Sequence, residues 1–281
     1  MPEVIPSFDV RVPDIRRVGL DRPWEWLAAG WRDLLRAPAI SMSFGLILAV
    51  AGALLSVGLW LADLVYLVLP FAAGFMIVGP FMGLAFYEVS RRHAAGEPIS
   101  FSSVALAITR NPRHFGVMGF ILLLILLTWV RIGAMIFMLY WGMDPPPLHD
   151  LIVHTFLRPE SLPFLAFGTA VGAVFAGLTF AVTAVSIPMM LDRKVDVLTA
   201  IVTSVRVVRH NPVVMLFWAV LIVVFTGVGI ATLFLGLIVV LPLIGHASWH
   251  AYQDLVLAGP APAPAGAGQV GPGFIAPSGT R

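Results

Sequence analysis

The sequence contains no cysteine and very little charge. Of its 281 residues, 11% are charged and 59% are hydrophobic, and the mean hydropathy is +0.94. A soluble domain carries about 25% charged residues, so this composition indicates an integral membrane protein. The lack of cysteine excludes disulfides, iron–sulfur clusters, c-type haem attachment and thiolate zinc sites. The net charge is only +2, so we expect no nucleic-acid partner.

Long apolar runs predict an all-α, polytopic membrane protein, because a spanning helix needs about 20 apolar residues. Six transmembrane helices are predicted at approximately 40–61, 64–87, 113–141, 162–190, 212–227 and 229–251. The last two share one uncharged stretch, and we place the turn between them at residues 226–229. This six-helix membrane domain covers residues 38–257. It follows an N-terminal segment, 1–37, and precedes an Ala/Pro/Gly-rich tail, 258–281, which is predicted to be disordered and cytoplasmic.

Basic residues are distributed unevenly between the loops. Fifteen of the seventeen Lys and Arg residues fall in the N-terminal segment, the second loop, the fourth loop or the tail. Cytoplasmic segments carry the excess of Lys and Arg in membrane proteins. Both termini are therefore predicted to be cytoplasmic, and the expected partner is the lipid bilayer.

A proline signal starts each odd-numbered helix. The three signals are Arg36-Ala-Pro38, Arg110-Asn-Pro112 and His210-Asn-Pro212. Proline suits the first helical position, and Asn111 and Asn211 are predicted N-caps. The even-numbered helices contain Pro80, Pro188 and Pro242. The chain therefore predicts three pseudo-repeated hairpins; the alternative is chance recurrence, since membrane helices are rich in glycine and proline.

An amphipathic segment precedes each proline signal. In residues 23–36 the apolar face comprises Trp24, Leu27, Trp31 and Leu34/Leu35, and in residues 194–209 it comprises Leu198, Ile201/Val202, Val205 and Val208. Residues 101–109 form a shorter version. Segments of this kind lie in the membrane interface. Within the membrane, the spacings Gly79/Gly83 and Gly168/Gly172 predict close contact between helices.

Polar side chains collect at the predicted cytoplasmic ends of the second and sixth helices. Glu88 is followed by Arg91 and Arg92 at i+3 and i+4, a spacing that favours a salt bridge. An acidic group at the mouth of a pathway is the alternative interpretation. His246 and His250 share one helix face. Alignment of Pro242 with Pro80 places His250 at the position of Glu88 and His246 one turn deeper.

The candidate chemistry is sparse. We predict no catalytic residue, because the sequence contains no phosphate-binding glycine loop and no nucleophile triad. His246 and His250 are weak metal candidates, since a closed zinc site needs about four ligands. A structural or interfacial role is favoured for the pair, with ligand and proton-relay roles left open. Asp150 and His154 in the outer loop are a weaker metal pair. No cofactor is predicted, and haem or metal binding stays open.

Several segments together carry a family resemblance. They are PWEWLAAGWRDLLRAP at 23–38, VGPFMGLAFYEVSRR at 78–92, GEPISF at 96–101, RHNP at 209–212 and LPLIGHASWHAY at 241–252. In combination, over residues 20–257, they resemble the bacterial integral membrane proteins called DUF2189. The resemblance implies a six-helix protein of the bacterial inner membrane and carries no activity with it. Some members are labelled cytochrome c oxidase subunit I, but that subunit resembles a bundle with many histidine ligands deep in its helices.

Three functions are consistent with these patterns. The leading interpretation is a non-enzymatic structural, assembly or accessory component of another membrane protein complex. The second is a small transporter or channel with a cavity near Glu88 and His246. The third is a haem- or metal-binding protein associated with the respiratory chain.

Overall fold

The structure is a computed structural model that describes residues 13–64, 67–142 and 151–257. Within these ranges every regular element is a helix. The described helices are α1 (Arg22–Arg36), α2 (Pro38–Leu61), α3 (Val68–Met82), α4 (Leu84–Ala95), α5 (Phe101–Ala105), α6 (Pro112–Trp141), α7 (Leu151–Phe156), α8 (Leu162–Thr183), α9 (Ser186–Asp192), α10 (Val197–His210), α11 (Pro212–Ala231) and α12 (Leu237–Leu255). The predicted tail and the side chains of the candidate pair Asp150 and His154 lie outside what is described.

Five segments of the described chain are long and apolar enough to cross a membrane. They are Pro38–Leu61, Pro70–Ala95, Pro112–Trp141, Pro159–Asp192 and Pro212–Ala231. At most a third of the residues in their most apolar windows are buried inside the protein, so large apolar side chains cover the outside. The sixth predicted helix corresponds to α12, which has 19 residues but is not among these five.

Short interruptions divide the second and fourth predicted helices. The chain breaks at Gly83, between α3 and α4, three residues after Pro80, and again at residues 184–185, between α8 and α9. Proline lacks an N–H and clashes with the carbonyl group four residues earlier. For Pro188 that carbonyl belongs to residue 184, where the second break occurs. The N–H of Val185 donates to the Ser204 hydroxyl over 3.3 Å. The predicted fourth helix, 162–190, therefore lies within one candidate span that is interrupted near its end.

The turn before α12 also differs from the prediction. Residues 226–229 lie inside α11, and the turn falls at residues 232–236. Glycine need not end a helix surrounded by apolar groups, because no water competes there for its backbone hydrogen bonds. Leu233 and Phe234 adopt left-handed φ angles of 55° and 68° in the turn. The Thr232 hydroxyl, at the start of the turn, accepts a hydrogen bond from the N–H of Gly236, at its end, over 2.8 Å.

Helix α12 is packed by α1, α2 and α4. Two glycines allow this approach. A Cβ added to Gly30 of α1 would lie 2.6 Å from the backbone nitrogen of Ala247, and one added to Gly45 of α2 would lie 2.5 Å from the carbonyl oxygen of Ile238. Both distances are shorter than any real contact, so only glycine fits at these crossings.

The glycine pairs singled out in the sequence do not mark contacts between helices. A Cβ on Gly79, Gly168 or Gly172 would meet no atom within 4 Å, and one on Gly83 would meet Tyr87 of the next helical turn. Glycine spacing indicates a shallow groove on a helix, but the spacing alone does not identify a second helix that fills it. The predicted contacts at these positions are therefore wrong for this chain.

Each amphipathic segment has one side buried in the protein and another that exposes large apolar groups. In α1 the buried side chains include Trp26, Asp33 and Leu34, whereas Trp24 and Trp31 are 54% and 44% exposed. In α10 the buried residues are mainly small or hydroxylated, and they are Val197, Thr199, Ala200, Thr203, Ser204 and Val207. Small side chains allow a helix to approach the bundle closely, which leaves the larger apolar groups outside.

Candidate functional site

His246 is buried with both ring nitrogens occupied. Its Nε2 atom lies 3.0 Å from the Ser41 hydroxyl of α2. Its Nδ1 atom lies 2.9 Å from the Ser90 hydroxyl of α4 and 3.1 Å from the carbonyl oxygen of Phe86. Because a carbonyl oxygen only accepts, Nδ1 carries the proton and Nε2 accepts from Ser41. His246 therefore connects α12 to α2 and α4.

Asp33 of α1 continues this arrangement. Only 3% of Asp33 is exposed. The Nε2–H of His250 donates to its carboxylate over 2.8 Å, and Nδ1 of His93 lies 3.6 Å from the other carboxylate oxygen.

Two neighbouring polar groups, one around His246 and one around Asp33, therefore span four helices, and together we call them the histidine network. Its members are Asp33, Ser41, Ser90, His93, His246 and His250. It connects α1, α2, α4 and α12 at the end of the bundle where α1 lies. Buried polar groups need hydrogen-bond partners, so such a network fixes the relative positions of the helices that contribute to it.

The electrostatics of Asp33 follow from this environment. Burial acts to raise the pKa of the carboxyl group, since desolvation disfavours the charged form. The hydrogen bond from His250 is the largest opposing influence, and the pKa lies below its usual value. Asp33 is therefore ionised throughout the neutral range.

Glu88 belongs to a second polar group, the arginine cluster, formed by Glu88, Arg91, Arg92, Glu97 and Arg110. The Glu88 side chain has no exposed area, and it accepts hydrogen bonds from Arg91 over 2.8 Å and from Arg92 over 2.6 Å. Arg110 is 3.8 Å away. Helix α4 carries Ser90 on one face and Glu88 on another, which separates the two polar groups. The residues predicted as one cluster therefore belong to two.

The proline signals coincide with helix starts, but the asparagines act differently from simple caps. Pro38, Pro112 and Pro212 are the first residues of α2, α6 and α11. Asn111 and Asn211 occupy the cap positions, yet neither side chain caps its helix. The Asn211 amide binds the N–H of residue 18 and the carbonyl oxygen of residue 16, both at 3.0 Å. The Asn211 side chain therefore hydrogen-bonds to the backbone of the N-terminal segment instead of capping α11.

The segments before α1 and after α12 pair with each other. The N–H of Arg16 donates to the carbonyl oxygen of Leu255, and the N–H of Leu257 donates to that of Asp14, both over 3.0 Å. Asp254 also accepts hydrogen bonds from Arg22 over 2.8 Å and from the Trp26 indole over 3.0 Å. The beginning of α1 is therefore held against the end of α12.

The two histidines of α12 do not form a ready ligand pair. Both nitrogens of His246 are hydrogen-bonded inside the protein, and Nε2 of His250 is taken by Asp33. A metal ligand needs a free lone pair, so His246 could coordinate only by breaking its bond with Ser41. In the ranges that the structure describes, no three His, Asp or Glu residues are grouped as a metal site would require.

Sequence analysis missed Asp33, Ser41 and Ser90. A signal for Asp33 was present, since it lies three residues after Gly30 and seven after Trp26, on the face that becomes buried. An acidic residue on the small-residue face of an amphipathic helix indicates a buried polar partner. The two serines gave no signal, because serine is common in membrane helices and its partner becomes evident only when the helices are packed.

The five apolar segments, the outward apolar side chains and the internally paired polar groups define a helical integral membrane protein. The family model described as "Predicted integral membrane protein (DUF2189)" matches residues 67–192, so the resemblance drawn from the sequence is confirmed over this part of the chain. The match includes Glu88, Ser90 and His93. Asp33, His246 and His250 lie outside it.

Comparison with curated proteins and with solved structures gave no match.

Proposed function

We propose that this protein is a non-enzymatic accessory or assembly component of a complex in the bacterial inner membrane. The observation that carries the proposal is the internal use of buried polar groups. Glu88 and His246 have no exposed area, and both are fully engaged with neighbouring side chains. Such groups hold helices together and offer no open position to a substrate.

The transporter alternative has less support. It requires a polar cavity that opens to Glu88 and His246, whereas neither side chain has any exposed area. Interrupted helices occur in transporters, where the freed backbone groups coordinate the substrate. Here the N–H freed at Val185 is satisfied by Ser204. The backbone N–H at this break is therefore hydrogen-bonded within the protein.

We also infer that α12 is a sixth crossing, so that both ends of the chain lie on the cytoplasmic side. Support comes from the pairing of residues 14–16 with residues 255–257. Five crossings would place the two segments on opposite sides of the bilayer, where they could not form hydrogen bonds. A sixth crossing by α12 makes the number of crossings even and returns the chain to the side on which it began. Three hairpins, each preceded by an amphipathic segment, would then form a threefold repeat.

Single cysteines test this topology directly, since the chain has no cysteine of its own. We would place one cysteine at Asp21, one at Gln253 and one at Leu233, and treat intact cells with a membrane-impermeant thiol reagent. Cysteine at Leu233 should react in intact cells, whereas the other two should react only after lysis. Labelling of Asp21 and Gln253 positions from opposite sides would contradict six crossings.

Co-purification tests the accessory role. The tagged full chain, crosslinked in membranes and extracted in mild detergent, should retain a second membrane protein in a fixed ratio, measured by native mass spectrometry. A control protein with the same tag should not retain it. Reproducible purification of the chain alone, after crosslinking, would argue against the proposal. An optical spectrum and a metal analysis of the same sample test haem or metal binding.

A further inference from the structure

A basic cavity lies between the N-terminal segment and the end of α10. Its volume is about 740 Å³. Three basic side chains line it on the α10 side, Arg206, Arg209 and His210, and Asp14 and the apolar Leu257 lie across from them. The histidine network and the arginine cluster take no part in it.

Among the described residues, nothing occupies the guanidinium groups of the two arginines of this cavity, so they are available to a ligand. Arg206 and Arg209 are three residues apart, so they project from one face of α10. Both are exposed, and neither is in an ion pair with any residue that the structure describes. In contrast, Arg91 and Arg92 at the same end of the bundle are fully paired. Unpaired guanidinium groups in a concave site favour an anion.

His210 adds a third donor. The Nε–H of Arg17 donates to Nε2 of His210 over 3.2 Å. A ring whose Nε2 accepts carries its proton on Nδ1, and that N–H remains available as a donor. The cavity thus combines two guanidinium groups, one imidazole N–H and the positive charge of Arg17 behind the ring.

The position of the cavity along the chain places it at the edge of the hydrocarbon region. Helix α11, the candidate span with the highest mean hydropathy, 2.7, begins at Pro212. Arg209 precedes it by three residues, or about 5 Å of helical rise. On the same α10, Leu198 is 64% exposed, as expected of a side chain that contacts lipid. Phosphate groups of phospholipids lie at this depth.

We propose that this cavity binds the phosphate group of an anionic phospholipid. Guanidinium groups match phosphate oxygens in a two-point geometry, which an ammonium group cannot reproduce. Asp14 helps to select the ligand, because a carboxylate repels a dianion more strongly than a monoanion. Inorganic phosphate is partly dianionic at neutral pH, whereas the diester of a lipid carries one charge. The acyl chains would extend from the cavity toward the apolar surface of α11.

Native mass spectrometry of the full chain in detergent tests the proposal. The probes are phosphatidylglycerol, phosphatidylcholine and inorganic phosphate. Phosphatidylglycerol should bind the wild-type chain, and Arg206→Gln/Arg209→Gln should weaken it by about tenfold or more, since each basic residue near an anionic surface contributes appreciably. The control Arg32→Gln/Arg113→Gln removes the same charge from exposed arginines elsewhere at this end. It should leave binding unchanged.

Each outcome decides the question. Equal weakening by the control pair would indicate general surface charge and overturn the proposal. Equal binding of phosphatidylcholine would overturn it, because the site would then not recognise an anionic headgroup. Displacement of the lipid by millimolar phosphate would also overturn it, because the site would then bind a free anion and not a lipid. Unchanged binding by Arg206→Gln/Arg209→Gln would do the same. If that double variant is poorly folded, the single variant Arg206→Glu repeats the measurement with a charge reversal at one exposed position.

Discussion

The carboxylate of Asp33 lies 2.8 Å from Nε2 of His250, which joins the first and last described helices across 217 residues of sequence. The contact is nearly buried on the Asp33 side, where the side chain is 5% exposed. With the pairing of Asp254 to Arg22 and Trp26, it attaches both ends of α1 to α12. Helix α1 is therefore part of the bundle and does not simply rest on the membrane surface.

Replacement of Asp33 by alanine should release α1. Loss of the carboxylate leaves Nε2 of His250 without its acceptor, at a cost of about 2 kcal/mol for a hydrogen bond to a charged group. Hydrogen exchange of the α1 backbone amides should become faster in Asp33→Ala. The neighbouring variant Arg32→Ala is the control, because Arg32 is exposed. Similar exchange in both variants would show that the Asp33–His250 contact does not hold α1.

Acidification should weaken the protein through the same residue. The pKa of the Asp33 carboxyl group in the folded state lies below its ordinary value of 3.8. A lowered pKa means that the stabilisation is present above the ordinary value and is lost as the pH falls through the folded-state pKa. The thermal midpoint, followed from about pH 5 to about pH 3, should fall more steeply in the wild type than in Asp33→Asn. Parallel curves would contradict this account.

Ser41→Ala should destabilise the protein through His246. The substitution leaves the buried Nε2 atom without a donor, which costs about 1–3 kcal/mol. Ser43 offers a matched control on the same helix, because its hydroxyl only binds the carbonyl oxygen of Ile40 in its own turn. We expect Ser43→Ala to change the thermal midpoint little. An equal effect of the two variants would mean that the bond to His246 contributes no measurable stability.

Gly30→Ala should separate α1 from α12. The new methyl group would need space occupied by the backbone nitrogen of Ala247, 2.6 Å away, and by the carbonyl oxygen of Leu243, 2.9 Å away. Backbone atoms cannot move aside as a flexible side chain does, so the helices must shift. Gly116→Ala on α6 is the control, since nothing lies within 4 Å of its Cβ position. It should be neutral or slightly stabilising, by about 0.5–1 kcal/mol.

These two glycine variants can be compared by thermal unfolding in detergent, with proteolysis of α1 as a second measurement. We expect a lower thermal midpoint and faster cleavage of α1 for Gly30→Ala, and neither change for Gly116→Ala. If Gly116→Ala lowered the midpoint as much, the effect would reflect a general intolerance of alanine in these helices and not the crossing of α1 over α12.

Features that depend on local chemistry could be predicted from the sequence. Pro38, Pro112 and Pro212 are the first residues of their helices because proline needs no backbone donor there. The salt bridge of Glu88 with Arg91 and Arg92 followed from their spacing along one helix. Both features involve residues within a few positions of one another, so no knowledge of the packing was required.

Features that depend on packing could not be predicted in this way. The turn before α12 uses Leu233 and Phe234 in left-handed conformations, which are rare for such residues. The burial of Trp26 in α1 could not be predicted, because an amphipathic helix offers tryptophan to lipid and to a protein core equally well. The partner of His246 could not be predicted, because Ser41 lies 205 residues away in sequence and does not differ in type from the other serines of the membrane helices.

The joining of α1 to α12 has a consequence for biosynthesis. The ribosome makes Asp33 early, but its partner His250 follows 217 residues later, which corresponds to roughly 10–40 s of translation. During this interval α1 has none of its α12 contacts, and its protein neighbours are limited to helices made earlier, such as α2 and α4. Docking of α1 can occur only after the last helix has been inserted. A truncated chain would therefore keep this helix accessible to proteases, and the cell could recognise incomplete molecules by that exposed segment.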